Sequence, residues 1–336
     1  MKAKIQTRIG DNRAPLQDVI PLDTPYLVFL DPSSACQFQC AFCPTGCRNV
    51  VKAYRKPEVM SIKTYWNVIE NLKTFNNRIK TLRLYKDGEP LINIHLPYMV
   101  ELARQSGMFE SIDTTTNGVL LLPETSEMLV NAGLDKIVIS VEGLNAETYK
   151  EFSKYNIDYT DFIYNINYFY KVSREHCLMH IKIAGDNLAE DDIARFYDMY
   201  GNMCDTISIE YTAPCWPNFA VENVNRDKNI YGNEIPDGVD ICPYIFYSMA
   251  INASGTVSLC FLDWKHEEII GNLGQPKQDA NAIWNGDTIN RYRRYMLDKK
   301  RNKILFCRDC GQLKYGQPDS IDAYAKRIKE RIGWDE

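Results

Sequence analysis

Short, nearly continuous apolar runs recur along the first two-thirds of the chain. They fall at Tyr26–Leu30 (YLVFL), Thr81–Tyr85 (TLRLY), Ser111–Thr116 (SIDTTT), Lys136–Val141 (KIVISV), Met179–Ala184 (MHIKIA) and Thr206–Tyr211 (TISIEY). Each reads as a strand, and the stretches between them place apolar residues at helical spacing, as in SIKTYWNVIENLKTF with Ser61 as its N-cap. Six strand–helix repeats with strands of this kind predict a parallel sheet wrapped by helices, either open or as a partial (β/α)6 barrel. The aromatic stretch YNIDYTDFIYNINYFYKV reads as one of those helices, packed on the sheet.

After Tyr211 the pattern changes. Residues 212–241 are rich in Asn, Pro, Gly and Asp and read as a loop. YSMAINASGTVSLCFL then alternates as a hairpin around Asn-Ala-Ser-Gly, and helices follow at Asp279–Asn285 and Thr288–Lys300. The expected organisation is an N-terminal extension (1–25), a core (26–212), a linker (213–241), a hairpin-plus-helix domain (242–316) and a terminal helix (317–336).

Composition adds constraints. The 336 residues carry a net charge of -5, which gives no support to a nucleic-acid surface. No apolar run is long enough to span a bilayer and no signal peptide is visible, so no membrane association and a cytoplasmic location are expected. Eleven cysteines without an export signal are poor candidates for disulfides. The four histidines form no helical ligand pair, so thiolate chemistry is the better lead.

Cys36, Cys40 and Cys43 form C-x3-C-x2-C directly after the first strand, and a second group, Cys242, Cys260, Cys307 and Cys310, lies in the last third. Thiols at these spacings could hold zinc or an iron–sulfur cluster. The first group, with Phe42 in its aromatic place, resembles the signature of the radical S-adenosylmethionine superfamily. The resemblance implies a [4Fe–4S] cluster on three thiolates, with one iron left for S-adenosylmethionine. Reductive cleavage of that cofactor would then give a 5′-deoxyadenosyl radical that takes hydrogen from a substrate. Other matches lie at successive strand ends. Gly88-Glu89-Pro90 resembles the motif for the methionine amino group, Thr116-Asn117-Gly118 the T-N-G motif, and Ser140-Val141-Glu142-Gly143 the ribose-contacting segment. Where the family usually carries an arginine for the cofactor carboxylate, this chain has YKEFSKYN, which leaves Ser153 or Lys154 for that role. Cys47 is expected not to be a ligand, since a fourth thiolate would close the open iron.

The second group resembles the auxiliary-cluster region called SPASM, or its shorter form, twitch. Gly271-Asn272-Leu273 and Ile283-Trp284-Asn285 match landmarks of that region, and no cysteine follows Cys310. One further [4Fe–4S] cluster with four protein ligands is implied. The spacing is similar to that of the twitch-bearing 2-deoxy-scyllo-inosamine dehydrogenases. It implies oxidation of a hydroxylated small molecule, of sugar or aminocyclitol type, with the second cluster as electron acceptor. Electrons for the first cluster would come from a carrier such as flavodoxin or ferredoxin. Tyr85, Lys86 and Tyr211 are expected near the substrate, and Glu210 or Lys182 as the base. An epimerase using Cys215 as hydrogen donor, a peptide-modifying maturase and a structural metal protein are the alternatives. For a maturase, the 25 residues before the first strand are too few for a leader-binding domain.

Overall fold

A computed structural model describes residues 1–8, 13–186, 188–221, 227–235, 238–316 and 318–334. Ten strands form one sheet: β1 (Lys4–Ile5), β2 (Leu27–Leu30), β3 (Ile79–Arg83), β4 (Phe109–Thr116), β5 (Lys136–Val141), β6 (Leu178–Ala184), β7 (Thr206–Glu210), β8 (Ser248–Ile251), β9 (Thr256–Ser258) and β10 (Ile269–Asn272). Their order is β1-β7-β6-β5-β4-β3-β2-β8-β9-β10. The expected strands are β2 to β7, adjacent in chain order and parallel throughout. Two features exceed the sequence expectation. The N-terminal extension supplies β1, which pairs in parallel with β7. The hairpin β8–β9 does not stand apart, because β8 pairs in parallel with β2 and extends the core sheet.

Among the described residues, eight α-helices accompany the core strands: α1 (Leu16–Val19), α2 (Arg48–Val51), α3 (Ile62–Leu72), α4 (Leu96–Gln105), α5 (Pro123–Asn131), α6 (Ala146–Ser153), α7 (Tyr159–Ser173) and α8 (Glu190–Tyr200). Ser61 caps α3 by accepting from Thr64 N at 3.1 Å. The aromatic stretch forms α7, whose Phe162, Ile166 and Phe169 are buried in the core. Strand alternation sorts the rest of the interior. Ile137, Ile139, Ile181, Ile183 and Ile207 belong to the buried core, each such side chain contributing roughly 1.5–3 kcal/mol. The intervening positions carry Arg83, Asp113, Lys136, His180, Lys182, Ser208 and Glu210, which gives a polar lumen.

α9 (Tyr244–Tyr247) leads into β8, and beyond the hairpin lie α10 (Ala280–Asn285), α11 (Asp287–Leu297), α12 (Leu305–Arg308), α13 (Gln312–Tyr315) and α14 (Ala325–Ile332). They enclose a second core that includes Cys260 and Cys307, with Leu16 and Ile20 reaching in from the N-terminal segment. The turn between β8 and β9 needs Gly255. Its φ is +86°, and a Cβ there would lie 2.3 Å from Gly274 Cα. In the described parts of 213–241, the ladder is a single bridge between Lys228 and Glu234.

Candidate active site

The loop after β2 carries the first three cysteines. Cys40 is buried, and Cys36 and Cys43 are half-buried. Its backbone is fixed from three sides. Gln39 N donates to Ser153 O at 2.8 Å and Glu89 N donates to Ala35 O at 2.8 Å. Gln37 Nε2 donates to Asn117 Oδ1 at 3.2 Å. Gly88 sits so close beneath the loop that a Cβ would fall 2.3 Å from Ala35 O and 2.4 Å from Ser33 O. Burial pushes all three thiols up, Cys36 to about 12, and each feels charge from at least one other cysteine. Ligation by cationic iron offsets that desolvation cost, since metal binding drives deprotonation of its thiols. Three thiols on one backbone-held loop, with Cys36 and Cys40 both feeling the charge of Cys43, fit a cluster with one open iron. Cys47, by contrast, hydrogen-bonds Ala41 O at 3.7 Å.

The strand-end motifs adjoin this loop. Glu89 is buried, and its carboxylate is occupied within the protein. Oε1 accepts from Thr116 Oγ1 at 2.6 Å and from Leu91 N at 3.0 Å, while Oε2 accepts from Asn117 N at 2.8 Å. Burial pushes its carboxyl to about 7 against these bonds. Glu89 thus ties the Gly88-Glu89-Pro90 turn to Thr116 and Asn117. Phe42 packs on Phe152, with ring centroids 5.3 Å apart. Ser140, next to last in β5, lies beside Lys182 of β6. Glu142, half-buried just beyond, is raised to about 7 by burial, with Lys182 pulling the other way.

The expected role of Ser153 needs correction. Its hydroxyl is fully buried and donates to Tyr149 O at 2.7 Å, as helix back-bonding, while its carbonyl holds the cysteine loop. Lys154, in left-handed conformation with φ +56°, is exposed.

The lumen was only partly foreseen. Lys182 Nζ donates to Glu210 Oε2 at 2.9 Å, and Arg8 Nε lies 3.1 Å from Oε1, outside hydrogen-bond geometry. Burial favours the neutral acid, but Arg8 and Lys182 outweigh it and hold the Glu210 carboxyl below its ordinary value. An ion-paired carboxylate of that kind is a weak base, which counts against Glu210 in that role. Lys86 is another correction. Expected at the substrate, it is a fully buried side chain donating to Asp87 Oδ2 at 2.9 Å and to Asp263 O at 3.3 Å. Tyr85 is half-buried, edge-on to Phe29. Tyr211 packs beside Gly185 and Gly232, with its N donating to Ile230 O.

Arg8, Arg83 and Asp113 were missed. Arg83 Nε donates to Asp113 Oδ2 at 3.1 Å, and Oδ1 of Asp113 is buried without a partner. The signal for this pair was present, since a charged residue inside TLRLY or SIDTTT must face a polar interior. Arg8 arrives from the N-terminal segment, where no pattern marked it.

The second cysteine group gathers where β8 and β9 meet α9 and α12. Cys242 precedes α9, Cys260 follows β9, Cys307 lies in α12 and Cys310 just after it. All four thiols are raised by burial, and Cys242, Cys260 and Cys307 each feel the charges of other members. Leu262 N donates to Cys260 Sγ at 3.5 Å, and Arg301 Nη1 to Cys310 O at 3.1 Å. Four thiols fit a fully ligated cluster. Cys215 lies beside them, and its thiol also feels the charge of Arg8 in the lumen. Its carbonyl accepts from Cys310 Sγ at 3.6 Å, and burial raises its own thiol to about 12. Among the described residues no three or more His, Cys, Asp or Glu side chains lie close enough together to hold a single metal ion, so each of the two thiol groups is joined by its loops and by the charge its members feel from one another, not by contact around one ion.

A parallel, barrel-like core with three thiols on the loop after its first core strand and four more around the sheet's extension has the cysteine arrangement of an iron–sulfur protein. The family model for the radical SAM superfamily matches residues 30–197, and that for an iron–sulfur cluster-binding domain, SPASM, matches 242–311. The chain belongs to the radical SAM superfamily and carries a SPASM region, which brings S-adenosylmethionine, a [4Fe–4S] cluster and auxiliary iron–sulfur ligation. Among curated relatives, GTP 3′,8-cyclase of Desulforamulus reducens is 27% identical over 121 residues, covering 35% of each chain. That of Petrotoga mobilis is 31% identical over 120 residues, again 35% of each. The matched part thus spans about a third of these relatives. Two solved structures are similar in fold. BtrN in complex with AdoMet and 2-DOIA has a TM-score of 0.55 at 16% identity, covering 88% of this chain and 96% of that one. The AdoMet-bound anSMEcpe has a TM-score of 0.55 at 13% identity, covering 92% and 95%. Among the described residues no helix is long and apolar enough to cross a membrane.

Proposed function

We propose that this enzyme oxidises a hydroxyl-bearing carbon of a small polar molecule, of sugar or aminocyclitol type, to a ketone. When bound, the first cluster with S-adenosylmethionine supplies one-electron cleavage and hydrogen abstraction, and the second cluster accepts the electron left on the substrate. The observation that carries this reading is the second group, four thiols, two buried and two half-buried, set around the hairpin whose first strand flanks β2. Such a set leaves no iron open to substrate and suits electron transfer. Cys36, Cys40 and Cys43 hold the first cluster, and the Glu89–Thr116–Asn117 bonds fix the turn that meets the cofactor. The lumen offers acceptors as well as cations. Asp113 Oδ1 and Thr115 Oγ1 are buried and without hydrogen-bond partners, a demand that substrate hydroxyl or amino groups would meet. Glu142, raised to about 7, is better placed than Glu210 to take a hydroxyl proton near neutral pH. The reducing electron is assigned to a carrier such as flavodoxin or ferredoxin. The whole-protein activity in the curated relatives' names is not carried over, because the similarity spans a third of them.

Epimerisation is the second reading, favoured by one observation. Burial keeps the Cys215 thiol protonated, as a hydrogen-atom donor must be. Product analysis in heavy water separates the two. Loss of two hydrogens without deuterium uptake is expected. Uptake of one deuterium with no net mass change of the skeleton, abolished in Cys215→Ala, would establish epimerisation instead.

A further inference from the structure

A buried polar layer joins the loop after Cys260 to the first cysteine loop, and one arginine spans it. Arg55 follows α2 and is 9% exposed. Its Nε donates to Trp264 O at 2.6 Å, its Nη2 to Thr45 Oγ1 at 2.9 Å and its Nη1 to Ser34 O at 3.5 Å. Thr45 and Ser34 flank the first three cysteines on either side. The same guanidinium lies 3.9 Å from Asp87 Oδ2, next to Gly88 and Glu89. Asp87 also accepts from Lys86 at 2.9 Å, and its Oδ2 lies 2.7 Å from His266 Nε2.

The far side of the layer belongs to the second group. Asp263 N donates to Cys260 O at 3.1 Å, and the Asp263 carboxylate accepts from Glu267 N and Glu268 N at 3.1 Å each. Cys260, Trp264 and His266 therefore sit on one closed loop. Trp264 is 2% exposed, and its indole donates to Pro217 O at 2.9 Å. Arg55 is thus the side chain that joins the Trp264 carbonyl of this loop to Thr45 and Ser34 of the first.

We propose that Arg55 is a positioning residue through which the second thiolate group sets the affinity of the first site for S-adenosylmethionine. Arginine suits this task because its planar fork serves several acceptors at once, whereas lysine offers one point charge. The inference rests on reading both thiolate groups as cluster sites and not on the reaction performed. Allosteric couplings of this sort commonly amount to 5- to 150-fold in affinity, of which about tenfold is expected here.

The test is a double-mutant cycle on the full, anaerobically reconstituted chain. S-adenosylmethionine binding is followed by calorimetry and by the change it causes in the electron paramagnetic resonance of the reduced first cluster. Cys307→Ala with Cys310→Ala should weaken binding about tenfold. Arg55→Met should weaken it by a similar factor, and the combination should add little. Arg55→Lys should behave as Arg55→Met, because charge alone does not span the acceptors. Should Arg55→Met fail to assemble its first cluster by iron content, His266→Gln replaces it in the same cycle. Losses that multiply in the combined variant would overturn the proposal, as would unchanged affinity and spectrum without the second pair. Iron content and product are read separately. A chain with both clusters and no ketone leaves the coupling standing, and ketone formation without non-additivity removes only the coupling.

Discussion

Cys40→Ala is expected to lower 5′-deoxyadenosine release by on the order of 10³-fold, about 4 kcal/mol of lost activation. Cys40 is the most enclosed of the three early thiols and feels charge from both Cys36 and Cys43. Two remaining thiolates cannot hold a four-iron cluster while leaving one iron for the cofactor. The fold should survive, because Cys40 lies in a loop held by backbone bonds to Ser153 O and from Glu89 N and by the Gln37–Asn117 side-chain bond. Far-UV circular dichroism near that of the parent, with loss of iron–sulfur absorption from one site, is the accompanying signature. Release at the parental rate would remove the first triad from the chemistry.

The second large effect concerns Cys307 and Cys310. Replacing both with alanine, at saturating S-adenosylmethionine so that weaker binding does not intrude, should separate cofactor cleavage from product. 5′-Deoxyadenosine should still form, while ketone falls at least about tenfold, below one per cleavage event. Electron removal is the step that the second group serves, so hydrogen abstraction can proceed without it but the oxidation cannot finish. Full ketone yield with only the first cluster present would contradict the proposed route. The product assay in heavy water then decides between oxidation and epimerisation.

Much of the fold was legible because the core strands are short runs of apolar and β-branched residues separated by stretches of helical spacing. All six core strands were found that way, within about two residues at their ends. The relation of the hairpin to the core was not. Parallel pairing of β8 with β2 joins residues more than two hundred positions apart, Leu27 opposite Ser248, and no local pattern encodes it. β1 was missed for a similar reason, since a two-residue edge strand has no period. At the site, cysteine spacing located both thiol groups because ligand chemistry constrains sequence directly. Single polar residues were harder to place. Lys86 sits at a strand end, as a substrate contact would, yet Asp87 and Asp263 draw it inward. Cys215 follows the sixth core strand, yet its loop folds onto Gly311, where a Cβ would meet Pro214 O at 2.0 Å. Ser153 was assigned by elimination, and the helix took its hydroxyl. Asp113 and Arg83 could have been noticed as charges inside strands. Arg8 could not.

The most direct measurement is electron–nuclear double resonance on the reduced, reconstituted chain with S-adenosylmethionine labelled with nitrogen-15 at its amino group. Direct ligation to the open iron predicts a strong nitrogen coupling to the cluster held by Cys36, Cys40 and Cys43. That coupling should persist in the chain lacking Cys307 and Cys310 and vanish in Cys40→Ala. A cluster that assembles in full, with the cofactor bound and no such coupling, would contradict the account.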